Sequence, residues 1–203
     1  MSKRVITINR MLGSNGRLIG KALAEELGFA FYDKELIDIA AQKENIPFDL
    51  LAKVDEKRGS QWRFPIDHEL QMDSDFHFVP MNDVLFDLQR KIILEAADKG
   101  DCVIVGRCAD YILAGRENTI NVFIHAPQEV RVKRIMELHH LNEADALKTL
   151  NNSDKERGNH YFRYTDQKWG KAQNYDVCIN SALMGIEKTA EMLADMAKIE
   201  VRD

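Results

Sequence analysis

The chain of 203 residues has few cysteines, no excess of basic side chains and no long apolar segment. No stretch is long enough to span a bilayer, and no apolar leader follows the amino terminus, so we expect a cytoplasmic protein without membrane contact. The formal net charge of −5 disfavours broad binding to nucleic acid or to acidic membranes. It also disfavours an arginine-using enzyme that acts on nucleic-acid ends, because no basic stripe is present.

The cysteines indicate neither a disulfide framework nor a zinc site. They are three in number, Cys102, Cys108 and Cys178, and no CxxC or HxxxH pair accompanies them. Two of them fall in or beside apolar runs that we expect to be buried strands. Reduced structural thiols in the cytoplasm fit this usage.

What the chain does have is an alternation of strand and helix patterns. A β-branched run, Val5 to Ile8, precedes apolar residues at helical spacing from Leu18 to Leu27, where Gly28 ends the helix. Further strands are predicted at 29–32, 102–105, 120–124 and 177–179, and further helices at 34–43, 83–99 and 185–198. Strands separated by helices predict a parallel α/β sheet with right-handed crossovers. Ligands of such sheets bind beyond the carboxyl ends of the strands.

One segment, residues 55–82, departs from this alternation. It contains Gly59, Pro65 and Pro80, many charges and no clean period. Since the alternation resumes afterwards, we interpret it as a mobile insertion or lid in a single domain spanning 1–203, and not as a linker between domains. The following helix places Leu85, Leu88 and Ile92 on one face. We expect that face in the core, with a homodimer surface as the alternative.

The most informative motif is the turn Gly13-Ser14-Asn15-Gly16-Arg17 between the first strand and the first helix. A strand, a glycine turn and a helix start aim free backbone N–H groups at one point, and such a point attracts phosphate. The alternative is a tight turn without a ligand. A phosphate loop usually reads G-x-x-x-x-G-K-[ST]. A register that uses Lys21 as its lysine places that residue too far inside the helix to reach the phosphate.

Two further features lie where a ligand of the sheet would bind. Arg107 follows the strand 102–105, and its planar guanidinium suits phosphate, although a salt bridge with Asp110 or another carboxylate is the structural alternative. Asp33 ends the second strand, where it could hold a ligand or cap the next helix.

A polar stretch from Asn151 to Trp169 carries Arg157 and Arg163, and upstream Arg131 and Arg134 share a helix face. Phosphoryl transfer depends on positioning and on neutralising charge, which several arginines on a movable lid can supply. A solvated pair of charged helices is the alternative. Arg157 and Arg163 are six residues apart and would not align on one helix face.

Taken in order, these motifs resemble the cytidylate kinase-like family over nearly the whole chain, least in 55–82. The segments that carry the resemblance are Ile6–Arg10, Gly13–Gly20, Leu27-Gly28 with Tyr32-Asp33, Val103–Asp110, Asp154–Arg157, and Asn174–Asp176 with Asn180-Ser181. The resemblance implies a three-layer P-loop NTPase fold: a central five-stranded parallel sheet, helices on both faces and a helical lid. It also implies transfer of the ATP γ-phosphoryl group to a nucleoside monophosphate, CMP or dCMP, with Mg²⁺.

The resemblance also implies roles for individual residues. Residues 55–82 would bind the acceptor, and residues 140–170 would form the arginine-bearing lid. The catalytic residues would be Arg157, Arg131, Arg134 and Arg163. The ATP-binding loop would comprise Gly13, Ser14, Asn15, Gly16, Arg17, Leu18 and Ile19, and the acceptor-binding residues would be Asp33, Arg107 and Asp110. No metal ligands are assigned.

The chain departs from the family pattern in the loop itself. Counted back from Leu27 without gaps, Gly16 takes the position of the kinase lysine and Leu18 that of the magnesium-binding Ser/Thr. Arg17 or Arg10 could supply the missing charge, and Ser14 a hydroxyl. We therefore expect an ATP-dependent kinase whose partners are small-molecule nucleotides. The alternatives are a kinase for a different small acceptor and a nucleotide or phosphate sensor without turnover.

Overall fold

The structure is a computed structural model that describes residues 3–33 and 79–199, together with the backbone of a short strand at residues 63 and 64. In chain order the elements are β1 (Val5–Arg10), α1 (Gly16–Leu27), β2 (Ala30–Tyr32), β3 (Arg63–Phe64), β4 (Val79–Pro80), α2 (Met81–Lys99), β5 (Cys102–Val105), α3 (Ala109–Ile112), β6 (Thr119–His125), α4 (Gln128–His139), α5 (Glu143–Thr165), a 3-10 turn (Ala172–Asn174), β7 (Val177–Asn180) and α6 (Gly185–Lys198).

Five of the strands form a parallel sheet in the order β2-β5-β1-β6-β7. Strand β1 lies in the middle, and Ile6 is in register with Val103 on one side and with Ile120 on the other. Because both neighbours of β1 are strands, its backbone groups are paired on both edges, as in a buried parallel sheet. This arrangement confirms the predicted parallel α/β sheet.

Helices cover both faces of this sheet. Side chains alternate across a strand, so Ile6 and Ile8 join a cluster with α1 and α6, whereas Val5 joins α2 and α3 on the opposite face. Leu85 and Ile92 of α2 are buried, and the predicted core face of that helix is confirmed. The result is the three-layer α/β arrangement of P-loop proteins.

The helices α4 and α5 form a hairpin beside the carboxyl end of the sheet. Their shared core is small and apolar, with Val132 and Ile135 packed on Ala146 and Leu150. The side chain of Asn142 accepts a hydrogen bond from the Asp145 N–H at 2.9 Å and so caps the start of α5. Helix α5 spans most of the segment predicted as the lid.

Some predicted elements lie outside the described residues. These are the helix at 34–43 and nearly all of the segment 55–82, of which the structure describes the antiparallel pair β3–β4 and the start of α2. Within the described part of the chain, no helix is both long and apolar enough to cross a membrane.

Candidate active site

The loop between β1 and α1 has the geometry of a helix-start anion site. Gly13 and Asn15 adopt positive φ angles of 75° and 62°, and the helix begins at Gly16, two residues earlier than predicted. The first N–H groups of a helix have no partner within it. Here they lie at the carboxyl edge of the sheet, where phosphate ligands of this architecture bind.

Ser14 supports the loop from below. It is fully buried, and its hydroxyl lies within hydrogen-bonding distance of the carbonyls of Met11 (2.8 Å) and Ile124 (3.1 Å). The Ser181 hydroxyl, just beyond β7, donates to the Ser14 carbonyl at 2.6 Å. The Ser14 side chain is therefore directed into the protein, which contradicts its interpretation as the source of a hydroxyl for a metal ion.

The other end of the predicted loop is also occupied by the protein. Ile19 is buried in the core, and its N–H donates to the Asn15 carbonyl at 2.9 Å. Both its side chain and its N–H are thus engaged within the protein, and its predicted contact with a ligand stays a prediction. Leu18 is half exposed, so the part of the loop that can meet a ligand ends there.

Two arginines of α4 hold the loop through its carbonyl groups. The Arg134 guanidinium donates to the Gly13 carbonyl at 3.1 Å, and Arg131 donates to the Leu12 carbonyl at 3.3 Å. Gly13 must be glycine for a further reason, since a β-carbon there would lie 3.0 Å from the Arg131 carbonyl oxygen and its φ is positive.

Helix α5 reaches the same loop through Asp154 and Arg157. The Asp154 carboxylate accepts from the Leu12 N–H at 2.8 Å and from Arg131 at 2.6 Å. Arg157, one helical turn later, donates to the Arg10 carbonyl at 3.2 Å. The structure thus brings Arg131, Arg134 and Arg157 together around the loop.

Arg163 lies elsewhere. Its guanidinium donates to the Asp83 carboxylate of α2 at 2.8 Å. Beside it, the ring of Tyr164 stacks on that of Phe86 with centroids 3.9 Å apart. Its separation from Arg157 agrees with the poor alignment predicted for the two arginines, and in this structure it fastens α5 to α2.

Asp33 lies between two arginines from opposite ends of the loop. Arg17 donates to it at 2.5 Å, and the Arg10 guanidinium approaches it to 3.8 Å. The Arg10 side chain is only 14% exposed, whereas that of Arg17 is 56% exposed. The Asp33 carboxylate therefore positions guanidinium groups. The helix that Asp33 was predicted to cap lies outside the described residues.

A cleft opens between the end of β1, the turn after β5 and helix α5. Gly106, Arg107 and Cys108 all have positive φ, of 81°, 59° and 55°, which turns the chain sharply. The lining is rich in guanidinium and aromatic groups, from Asn9, Arg10, Gly106, Arg107, Cys108, Arg157, His160, Tyr161 and Trp169. The predicted position of Arg107 at the ligand side of the sheet matches this placement.

Asp110 lies beneath the cleft and is buried. It accepts a hydrogen bond from the Tyr161 hydroxyl at 2.6 Å, so α5 supplies a partner of this carboxylate that sequence reasoning did not consider. Burial raises the pKa of the Asp110 carboxyl, and the Tyr161 hydrogen bond opposes that rise. The raised pKa of Tyr161, caused chiefly by burial and next by the Asp110 charge, keeps this hydroxyl a donor.

Sequence reasoning missed Tyr161, His160, Trp169 and Asn9 as parts of this site. Tyr161 follows Arg157 by four residues, a spacing that places two side chains on one helix face, so this signal was present. Asn9 sits at the end of β1, and its amide donates to the Tyr175 hydroxyl at 3.3 Å. Trp169 rests edge-on against Phe123 with centroids 5.4 Å apart, a long-range contact that no local pattern predicts.

Comparison with known proteins finds kinases of one family. The model of the cytidylate kinase-like family matches residues 5–183. A cytidylate kinase of Methanococcus aeolicus is 26% identical over 192 residues, covering 90% of this chain and 91% of that protein. A cytidylate kinase of Ignicoccus hospitalis is 23% identical over 193 residues, covering 95% of this chain and 98% of that protein.

Solved structures show the same fold. An uncharacterized protein from Eubacterium ventriosum has a TM-score of 0.73 and 26% sequence identity, with 98% of this chain and all of that chain (100%) covered. A shikimate kinase from Bacteroides thetaiotaomicron has a TM-score of 0.57 at 15% identity, covering 97% and 99% of the two chains. At that identity the likeness concerns the fold alone.

Proposed function

The chain belongs to the cytidylate kinase-like family, and we propose that it transfers the γ-phosphoryl group of ATP to a nucleoside monophosphate, CMP or dCMP. The observation that carries this proposal is the convergence of Arg131, Arg134 and Arg157 on the carbonyls of a helix-start loop. The family of this chain and the kinases that share its fold support a kinase-like activity in general. The choice of CMP or dCMP as the acceptor is the more specific part of the proposal.

The chemistry would rest on positioning and charge. In the present structure Arg134 and Arg157 are hydrogen-bonded to neutral carbonyls of the loop. Hydrogen bonds between guanidinium groups and phosphate oxygens are stronger, because both partners are charged. A triphosphate on the loop would therefore draw these donors onto the group being transferred, where they neutralise the charge spread over its oxygens.

The cleft suits a planar ring that carries an anion. Arg107 and Arg157 lie in its wall with the rings of His160 and Trp169. Guanidinium groups suit the phosphate of an acceptor and aromatic rings suit its base. No general base is required, because the oxygen of a monophosphate acceptor is already an anionic nucleophile.

Magnesium would accompany ATP as part of the substrate. The carboxylates nearest the loop are engaged, Asp33 with Arg17 and Asp154 with Arg131. In the described ranges no group of three or more acidic, histidine or cysteine side chains could hold a metal. The ion would thus be held by phosphate oxygens and water, as Mg²⁺ commonly is at phosphate sites, and it would neutralise phosphate charge.

A second candidate function is nucleotide sensing without turnover. It is favoured by Gly16, which stands where a kinase carries lysine, and by Arg17 and Leu18, neither of which has a hydroxyl. A kinase for a different small acceptor fits the same loop. The sensor would transfer no phosphate, and the other kinase would transfer it to an acceptor other than CMP or dCMP.

The proposed function is tested by transfer of labelled γ-phosphate from ATP with Mg²⁺ to a panel of nucleoside monophosphates. We expect transfer to CMP or dCMP, and we expect Arg157→Ala to lower kcat about a hundredfold or more, the usual effect of removing one preorganised charge-stabilising donor. Arg116→Ala is the matched control, since Arg116 pairs with Asp98 near the amino end of the sheet. ATP binding without transfer to any acceptor would favour the sensor.

A further inference from the structure

The loop lacks the lysine of a phosphate loop, yet the side chain of Arg10 lies beside Gly16, the residue at the lysine position. In the motif G-x-x-x-x-G-K the first glycine precedes the lysine by six residues. With Gly16 at the lysine position, the first glycine position is occupied by Arg10 and the second by Asn15. Relative to the motif, arginine therefore stands where glycine is expected and glycine stands where lysine is expected.

The structure gives this exchange a steric basis. A β-carbon added at Gly16 would overlap the β-carbon of Arg10 and press on its next methylene. A β-carbon added at Gly106, across the cleft, would overlap the Arg10 guanidinium. Gly16 and Gly106 together leave the channel in which the Arg10 side chain runs, from the end of β1 past the start of α1 toward Asp33.

Position favours Arg10 over Arg17 as the cation that meets a ligand, since its side chain runs between Gly16 and Gly106 into the cleft. Arg17 makes the short contact to Asp33, at 2.5 Å, and so balances that carboxylate, whereas the Arg10 guanidinium stands off at 3.8 Å. Arg10 also lines the cleft with Arg107 and Arg157, and Arg17 does not.

We propose that Arg10 is the phosphate-binding cation of this loop and that Gly16 is glycine to make room for it. The inference rests on the proposed function, since it names the group that meets the β- and γ-phosphates of ATP. The Arg10 guanidinium lies against Gly106 at the cleft, 3.8 Å from the Asp33 carboxylate. The positive charge that lysine supplies in the usual motif is thus supplied here by a residue at the end of the preceding strand β1.

The first test compares variants that keep the bulk of residue 10. Calorimetric titration with ATP, and with inorganic pyrophosphate as a probe without a base, gives their affinities. We expect Arg10→Gln to weaken both about tenfold to a hundredfold, as loss of one charge-assisted hydrogen-bond donor predicts. Arg10→Lys should retain part of the affinity, and Arg17→Ala should lose less than Arg10→Gln. Arg116→Ala again serves as the control for loss of an arginine.

The second test is the reciprocal exchange. Gly16→Lys alone should lose affinity, because its side chain collides with Arg10, and Arg10→Gly alone should lose affinity, because the cation is gone. The double variant Arg10→Gly/Gly16→Lys should recover at least tenfold over Arg10→Gly. Circular dichroism and Tm verify that each variant is folded, and the pair Arg10→Gln and Arg10→Lys decides the matter if Gly16→Lys does not fold.

The outcomes separate this inference from the proposed function. Affinity of Arg10→Gln within about twofold of the wild type, or a greater loss in Arg17→Ala, would overturn the role of Arg10 while leaving the kinase intact. A folded double variant no better than Arg10→Gly would overturn the steric exchange. Absence of any ATP affinity in the wild type would instead overturn the proposed function.

Discussion

At the scale of single residues, the buried pair Asp110 and Tyr161 links the turn after β5 to helix α5. A buried carboxylate is costly unless donors satisfy it. Because burial raises the pKa of Asp110, the folded protein holds this proton to a higher pH than the unfolded chain does. The contribution of Asp110 to stability is therefore greatest below the unfolded pKa of the carboxyl, and it falls as the pH rises toward the folded pKa.

We expect Tyr161→Phe to lower the free energy of unfolding at pH 8 by about 1–3 kcal/mol, because the Asp110 carboxylate then loses a donor in the interior. The loss should shrink toward pH 4, where the protonated carboxyl no longer depends on that donor. Urea denaturation at both pH values measures it, with Tyr111→Phe, an exposed tyrosine, as the control. An equal loss at both pH values would contradict this account.

At the scale of elements, helix α5 joins the loop between β1 and α1 to the rest of the candidate site. Asp154 and Arg157 face the loop, Tyr161 faces the turn after β5, and Arg163 faces α2. The helix therefore bridges three parts of the site.

We expect Asp154→Asn to destabilise the protein by about 3 kcal/mol, the usual cost of removing one partner of a buried ion pair. Arg131 is buried, and the neutral amide would leave its charge without a counterion while still accepting from Leu12. Glu156→Gln, an exposed position on the same helix, is the control and should change the free energy of unfolding by less than about 0.5 kcal/mol. Equal effects of the two substitutions in chemical denaturation would contradict the argument.

The elements that sequence predicted well are those with a local cause. Strand β5 has the predicted bounds because Gly100 and Gly106 flank an uninterrupted apolar run, and α6 has them because Gly185 opens its pattern. Helix α1 begins before Leu18 because Asn15 takes a left-handed conformation that no apolar pattern records. The partners of Asp33, Asp110 and Arg163 come from distant elements, so their contacts depend on packing and were not predictable from spacing.

At the scale of the whole molecule, the two ends of the described chain meet in one core. Strand β1 is the central strand, and α6, near the carboxyl terminus, packs on α1 in the cluster that contains Ile6 and Leu193. The prediction of a single domain over 1–203 therefore has a definite thermodynamic consequence. Removal of packing at one end should weaken the sheet as a whole.

We expect Leu193→Ala to lower the free energy of unfolding by about 3 kcal/mol, since this leucine is almost fully buried. It should shift one cooperative transition and should not split it in two. Scanning calorimetry provides the calorimetric and van't Hoff enthalpies, which should agree. Leu183→Ala, at a leucine that is 79% exposed, is the control. Two separate transitions in either protein would contradict the single domain.

The crowding between positions 10 and 16 restricts how such a loop can change over evolutionary time. Since a β-carbon at position 16 would overlap the β-carbon of Arg10, a side chain fits at position 16 on this backbone only after position 10 has become glycine. An ancestor with lysine at position 16 and glycine at position 10 would reach the present pair most easily through glycine at both positions, a state with neither cation. The two positions are thus expected to vary together among relatives, and a sequence with large side chains at both would require a different path of the backbone.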